Sequence, residues 1–289
     1  MSKNNTILST VNGHPRDKNI LFQEIGHKYT IVSDPYSKYI SVTTWNHSHF
    51  PKFDSDDIIQ KMMKGKSWKE GHKYWGQTVE QIKELWEKNR NSAAGAGTDI
   101  HYEIECFMNH PELPHHYTHK ELFEENVKQL LDASNNTNTI IETPEWEYFL
   151  QFVQTFPELK PYRTEWMVYD EDVKLAGSID MVYENLDGTL SIYDWKRSAN
   201  ITKINSWNKY AIPHCISQFP DSNFWHYALQ LNTYKTILER KYGKIIKDLY
   251  LVRLHPDNEE KTYELLSVPI LEKEMSELFE ERKHHLQEM

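Results

Sequence analysis

Two short β segments, residues 173–184 and 189–196, constrain this chain more than any other feature, because only Asn185-Leu186-Asp187-Gly188 separates them. Asp-Gly supplies the positive φ that a tight reversal needs, so the two segments should pair antiparallel. Side chains alternate across a strand, so Asp194 and Lys196 share a face. Asp180 lies on the neighbouring strand, where it can meet Asp194 across the sheet. Two carboxylates and an ammonium then converge on one point.

That combination suits phosphodiester hydrolysis. Hard carboxylate ligands hold Mg²⁺ or Mn²⁺, one ion or two, and leave positions for water and phosphate oxygens. A nearby lysine orients the water or neutralises developing charge. Alone, Asp-x-Lys is common and reads equally as an exposed ion pair beside an unrelated turn aspartate, so the surrounding order has to decide.

A strand is predicted over 162–169, a helix over about 222–242 ending at Gly243, strands over 246–254 and 261–268, and an amphipathic helix over about 270–286. Upstream, Gly95 and Gly97 break the chain and Thr98 caps a helix to about Asn109, with further helices near 119–132 and 144–156. Two helices fill Ser55 to about Arg90, a hairpin turns at Asp34-Pro35, and residues 1–27 read as a loose arm or extra edge structure. The expected division is an N-terminal arm, hairpin and helical addition over 1–94 and a core over 95–289.

Other residues can join the carboxylates. His101 and Glu105 sit four apart on one helical face; the imidazole suits Mn²⁺-like ions and the carboxylate can join it or orient water. Glu165 can touch a metal or bind the lysine, or simply face solvent. Gln230 and Tyr234, also four apart, can contact a phosphate or brace Lys196. Arg197 and Lys203 follow closely enough to meet a substrate backbone.

The formal net charge of −10 argues against a general polyanion-binding surface, though not against a local one. Cys106 and Cys215 are the only cysteines, too few for a four-cysteine zinc or iron–sulfur site and suited to a reducing interior. Neither a signal segment nor a membrane span is apparent, so a cytoplasmic or nuclear protein is expected. His110, His115, His116 and His119 fit no tetrahedral zinc spacing and read as a polar loop. A phosphate-binding glycine loop and a Gly-x-Ser-x-Gly turn are both missing.

The succession Gly97-Thr98-x-x-His101-x-x-x-Glu105, Glu165, Gly177-Ser178-Ile179-Asp180, Asp194-Trp195-Lys196 and Gln230-x-x-x-Tyr234 resembles the RecB-like branch of the PD-(D/E)XK nucleases. That branch includes the RecB nuclease domain, CRISPR-associated exonucleases and the mitochondrial genome maintenance exonuclease. The resemblance covers roughly 95–254. It implies an α/β restriction-endonuclease-like core, a mixed central sheet flanked by helices, with an N-terminal helical addition. It implies metal ligation by His101, Asp180, Asp194 and the Trp195 carbonyl, catalysis by Lys196, and support from Gln230 and Tyr234. Glu105 and Glu165 are further candidate ligands or supports, and Ser178 joins Arg197 and Lys203 as a candidate substrate contact.

The implied activity is Mg²⁺- or Mn²⁺-dependent cleavage of DNA in replication, repair or recombination, as an exonuclease on single-stranded or frayed ends. A structure-specific endonuclease and an inactive nucleic-acid-binding module are the alternatives. The family's iron–sulfur cluster is not expected. Ser41-Val42-Thr43-Thr44-Trp45 and Phe50-Pro51-Lys52-Phe53-Asp54 resemble the front end of stand-alone members, including those of large DNA viruses. Lys61, Lys64, Lys66, Lys69 and Lys73, with Trp68, Trp75 and Trp86, either line a passage for single-stranded DNA, as in the mitochondrial relative, or form two amphipathic helices with solvated lysines and buried tryptophans.

Overall fold

The computed structural model describes residues 6–111, 117–133, 143–205 and 207–288. From residue 6 the N-terminal segment forms extra structure, the second of the two expectations, rather than a loose arm. Helix α1 (Ile7–Val11) and a 3₁₀ turn at Pro15–Asn19 lead into β1 (Ile20–Gln23), which pairs antiparallel with β2 (Lys28–Ile31). Leu8 and Ile20 are buried, and Asp17 accepts from Arg163 at 2.8 Å and from the Trp166 indole at 3.0 Å. The hairpin therefore reverses at Gly26-His27, both at positive φ, rather than at Asp34-Pro35. Asp34 is occupied otherwise: it accepts the hydroxyls of Ser37 and Tyr39 and pairs with Lys174, which draws β3 (Ile40–Ser41) onto the main sheet, parallel to Leu175 and Ala176.

Next come α2 (Val42–His47), α3 (Ser55–Lys64) and α4 (Val79–Met108), the last a single helix of 30 residues. Its cap is Thr78, in a reciprocal capping box with Gln81. Thr98 caps nothing; its hydroxyl bonds back to the Ala94 carbonyl. The expected break at Gly95 and Gly97 does not occur, because each glycine costs an exposed helix only about 1 kcal/mol and well-placed caps and packed ends outweigh that. One helix thus runs through residues 94 and 95 and ends with Ile100, Ile104 and Phe107 in the core. Trp75 is 47% exposed and Trp68 and Trp86 are half-buried, which corrects the buried-tryptophan expectation for this region.

Helices α5 (His119–Ala133) and α6 (Pro144–Thr155) precede the main strands: β4 (Lys160–Asp170), β5 (Leu175–Glu184), β6 (Leu190–Lys196), β7 (Ile246–Arg253) and β8 (Glu264–Val268). Helix α7 (Asn223–Tyr242) makes the crossover from β6 to β7, and α8 (Glu272–Gln287) closes the chain. Strand β5 pairs antiparallel with β4 and β6, β6 runs parallel to β7, and β7 runs antiparallel to β8. One face of this mixed sheet packs on α2, α7 and α8, the other on α4, α5 and α6. The fold is the α/β architecture expected, a mixed central sheet flanked by helices, consistent with a PD-(D/E)XK-like core. Among the described residues, no helix is long and apolar enough to cross a membrane.

His119 belongs to no polar loop: it starts α5, fully buried, with Nε2 2.8 Å from the Tyr183 hydroxyl. His110 is also buried, while His115 and His116 lie outside the described residues. Burial pushes the His119 imidazole from 6.5 down to about 3. The unfolded chain takes up this proton first, so the contribution of neutral His119 is complete above pH 6.5 and is lost as pH falls towards 3, by about 1.4 kcal/mol per unit. In denaturant unfolding, His119→Gln should flatten the acid decline between pH 6.5 and 4.5 by about 2–3 kcal/mol. A Cβ at Gly95 or Gly97 meets nothing within 4 Å, so Gly95→Ala and Gly97→Ala should each raise stability by about 0.5–1 kcal/mol, measured as a higher Tm.

Candidate metal centre

The centre lies where two strands lose their regular alternation together. On β5, Ile179 is buried on the α7 side whereas Met181, two residues on, is buried on the α4–α6 side. On β4, Thr164 accepts from Asn109 of α4, yet Trp166 is buried against the α7 layer. Between them stand Glu165 and Asp180, which fall opposite one another because Thr164 pairs with Met181 and Trp166 with Ile179. Glu165 carries the slip at a φ of 43°, a left-handed conformation that costs a non-glycine residue about 1 kcal/mol or more. Continuing the β5–β6 register from Met181 and Tyr193 brings Asp180 beside Asp194.

Ligand atoms of His101, Glu165 and Asp180 all lie within 4.8 Å of one another. The His101 Nε2 is 2.9 Å from the Trp195 carbonyl oxygen, which can only accept, so Nε2 carries the proton. Nδ1, the other ring nitrogen, faces Asp180 Oδ2 at 3.6 Å. The same Asp180 oxygen accepts the Trp195 N–H at 3.1 Å, and Ser178 donates to Glu165 at 2.9 Å. The Trp195 backbone thus orients both His101 and Asp180, and Ser178 orients Glu165. Asp194, buried, holds the Lys196 ammonium at 2.6 Å.

Electrostatics here is dominated by crowded acids. Burial, then the neighbouring Asp180 charge, pushes Glu165 up to about 8. Burial likewise raises Asp194, against the opposing pull of Lys196, whose ammonium is held charged by the two aspartates. Like charges gathered out of water are costly unless a cation neutralises them. One imidazole nitrogen with two or three carboxylate oxygens is a donor set for Mn²⁺ or Mg²⁺. Those residues fit such an ion. Glu105 adds its charge to the field at Glu165, and both line a cleft of about 200 Å³ beneath the N-terminal segment.

Helix α7 covers the other side. Tyr234 is buried directly over Gly177, where a Cβ would stand 2.7 Å from its hydroxyl oxygen. Gln230, one turn earlier, reaches Thr43 of α2 at 3.4 Å. Tyr227, one turn earlier again, lies under the Lys196 ammonium, 4.7 Å from ring centre to nitrogen. Sequence reasoning passed over Tyr227, although its spacing from Gln230 and Tyr234 sets it on their face. The structure gathers His101, Glu165, Ser178, Asp180, Asp194, the Trp195 backbone and Lys196, with Gln230 and Tyr234 behind. Arg197 is drawn aside to Glu145 of α6 at 2.7 Å, and Lys203 is exposed with its ammonium over Phe224. Nothing in the sequence marks Glu145 as the partner of Arg197, because only folding brings α6 to the end of β6.

No family model matches the chain, and no curated protein matches it in sequence. A crystal structure of a protein from Eubacterium rectale, provisionally named an exonuclease, is similar over 86% of this chain and 79% of its own, with 11% identity and a TM-score of 0.35. At that level the likeness carries no argument about this chain.

The Gly177 contact yields a direct test. Gly177→Ala should cost about 1–3 kcal/mol in denaturant unfolding by overpacking against Tyr234. In a Tyr234→Leu background the same substitution should cost much less, a coupling that a double-mutant cycle measures.

Proposed function

We propose that this chain is a metal-dependent nuclease that hydrolyses phosphodiester bonds of DNA, working from single-stranded or frayed ends. The supporting observation is the convergence of His101, Glu165 and Asp180, with ligand atoms all within 4.8 Å of one another, beside a buried Asp194–Lys196 pair on the adjoining strand. The ordered motifs of the RecB-like branch point the same way.

His101 Nδ1, Glu165 and Asp180 would hold Mg²⁺ or Mn²⁺, with Asp194 adjacent. When bound, the cation supplies polarisation of a phosphoryl oxygen and a more acidic water. Trp195 and Ser178 fix the orientation of the ligands before any substrate arrives. Lys196 keeps a positive charge at the site because two carboxylates and the Tyr227 ring all stabilise its ammonium. That charge is placed to orient water and to offset negative charge developing on the phosphate. Tyr234 holds the strand bearing Asp180 against α7, and Gln230 ties α7 to Thr43 of α2.

Lys196→Met and Asp194→Asn should each reduce cleavage by about 10³-fold or more, with the folded state checked by circular dichroism. Lys196→Met should leave Mn²⁺ binding nearly unchanged in calorimetry, whereas Asp180→Asn should weaken it. Chelator should abolish degradation of end-labelled linear single strands, and circular single strands should survive. Normal cleavage by the Lys196 variant would overturn this mechanism.

A further inference from the structure

The chain carries a net charge of −10, yet the 24 positions from Arg197 to Pro220 contain no acidic residue and include Arg197, Lys203 and Lys209. This segment issues directly from Lys196. It also exposes apolar surface: Ile204 is 76% exposed, Trp207 60%, Tyr210 45% and Ile212 65%. Single exposed apolar side chains are ordinary, but four close together on one connection are not.

The connection is anchored, and its anchors lead back to the metal centre. The Asn223 side chain accepts from the Thr202 N–H and donates to the Asn200 carbonyl, at 2.9 and 2.6 Å. The Trp225 indole donates to the Lys203 carbonyl at 3.2 Å and lies stacked on Phe219, 4.1 Å between centres and 4° from parallel. Asp221 donates its N–H to the Lys209 carbonyl at 2.9 Å, and Tyr210 bridges to Pro220. Ile212 donates its N–H to the His49 carbonyl at 2.7 Å. All but the last of these ties converge on the chain entering α7 and its first turn, immediately before Tyr227, which lies over the Lys196 ammonium. The next acid in the sequence, Asp221, pairs with His226 at 2.8 Å.

We propose that this segment is a single-strand platform: unpaired bases stack on Trp207 and Tyr210 while Lys203 and Lys209 meet the phosphates, feeding the strand towards Lys196. It rests on the nuclease reading and assigns the residues outside the metal centre on which the single strand lies. Every unpaired base offers a π face, whereas a duplex hides its faces, so exposed aromatics interleaved with cations select single strands without reading sequence. The segment itself contributes cations and no carboxylate, a charge complementarity to phosphate that the chain as a whole lacks, and the acids of α8 act on it at Cys215 rather than at Trp207 and Tyr210.

The test is binding by the full chain in chelator, where no turnover intervenes, followed by fluorescence anisotropy with a labelled oligothymidylate of about 15 nucleotides and a blunt duplex of equal length. The wild type should prefer the single strand. Trp207→Ala with Tyr210→Ala should weaken single-strand binding about 10- to 100-fold and leave duplex binding nearly unchanged, while Trp207→Phe should retain most of the affinity. Lys203→Gln with Lys209→Gln should lower the slope of log affinity against log salt by about 1.4. Wild-type affinity in the double alanine variant, or equal binding of the two probes by the wild type, would overturn the platform. Loss of self-association in that variant, with oligonucleotide binding unchanged, would overturn it in favour of a second copy on this surface. Because binding is read without metal, a wild type that never cleaves but whose binding still depends on Trp207 and Tyr210 would retire the nuclease reading alone. Cleavage that persists with binding indifferent to those residues would retire the platform alone.

Discussion

Three carboxyl groups held together largely out of water are the constraint on which this molecule turns. Glu165, Asp180 and Asp194 come from three adjacent strands, and Glu165 and Asp194 are driven towards protonation by burial and by the neighbouring Asp180 charge. Only compensation makes such a cluster tolerable. Lys196 supplies one permanent positive charge at 2.6 Å from Asp194, and backbone and hydroxyl donors satisfy individual oxygens. What remains is a cluster of acids with the His101 Nδ1 facing Asp180 at 3.6 Å.

Much of the surrounding structure can be understood as support for that arrangement. The left-handed Glu165 and the face switch shared by β4 and β5 put the acids where a regular sheet would not. Tyr234 over Gly177 locks β5 to α7, and the long α4 delivers His101 and Glu105 from the opposite layer. The N-terminal segment, through Asp17 with Arg163 and Trp166, braces the start of β4 and closes the cleft beside Glu165. Strain at one residue is sustained because neighbours on every side fix it.

Regular elements were legible in the sequence for simple reasons. Strands β4 to β8 and helix α7 announce themselves by alternation, by an Asp-Gly turn and by a terminal Gly243 in the left-handed conformation. Pairing across the Asp-Gly hairpin follows from strand geometry, so the approach of Asp180, Asp194 and Lys196 could be anticipated. Misreadings arose where a local preference met a stronger distant contact. Gly95 and Gly97 look like a break, yet α4 continues through them; Asp34-Pro35 looks like a hairpin, yet Asp34 is occupied by Lys174, Ser37 and Tyr39.

The sequence by itself determined the strand pair, the spacing that puts Asp194 and Lys196 on one face, and the helical spacing of His101 with Glu105 and of Gln230 with Tyr234. Those are short-range facts, set by the periods of strand and helix. Tertiary structure alone decided that Glu165 comes within 4.8 Å of His101 and Asp180, that His101 turns Nε2 to the Trp195 carbonyl, that Arg197 turns to Glu145 and that Tyr227 underlies Lys196. Each of those depends on a residue distant in sequence or on a backbone conformation outside the regular regions. No periodicity records them, because they are properties of contacts between elements rather than of the elements themselves.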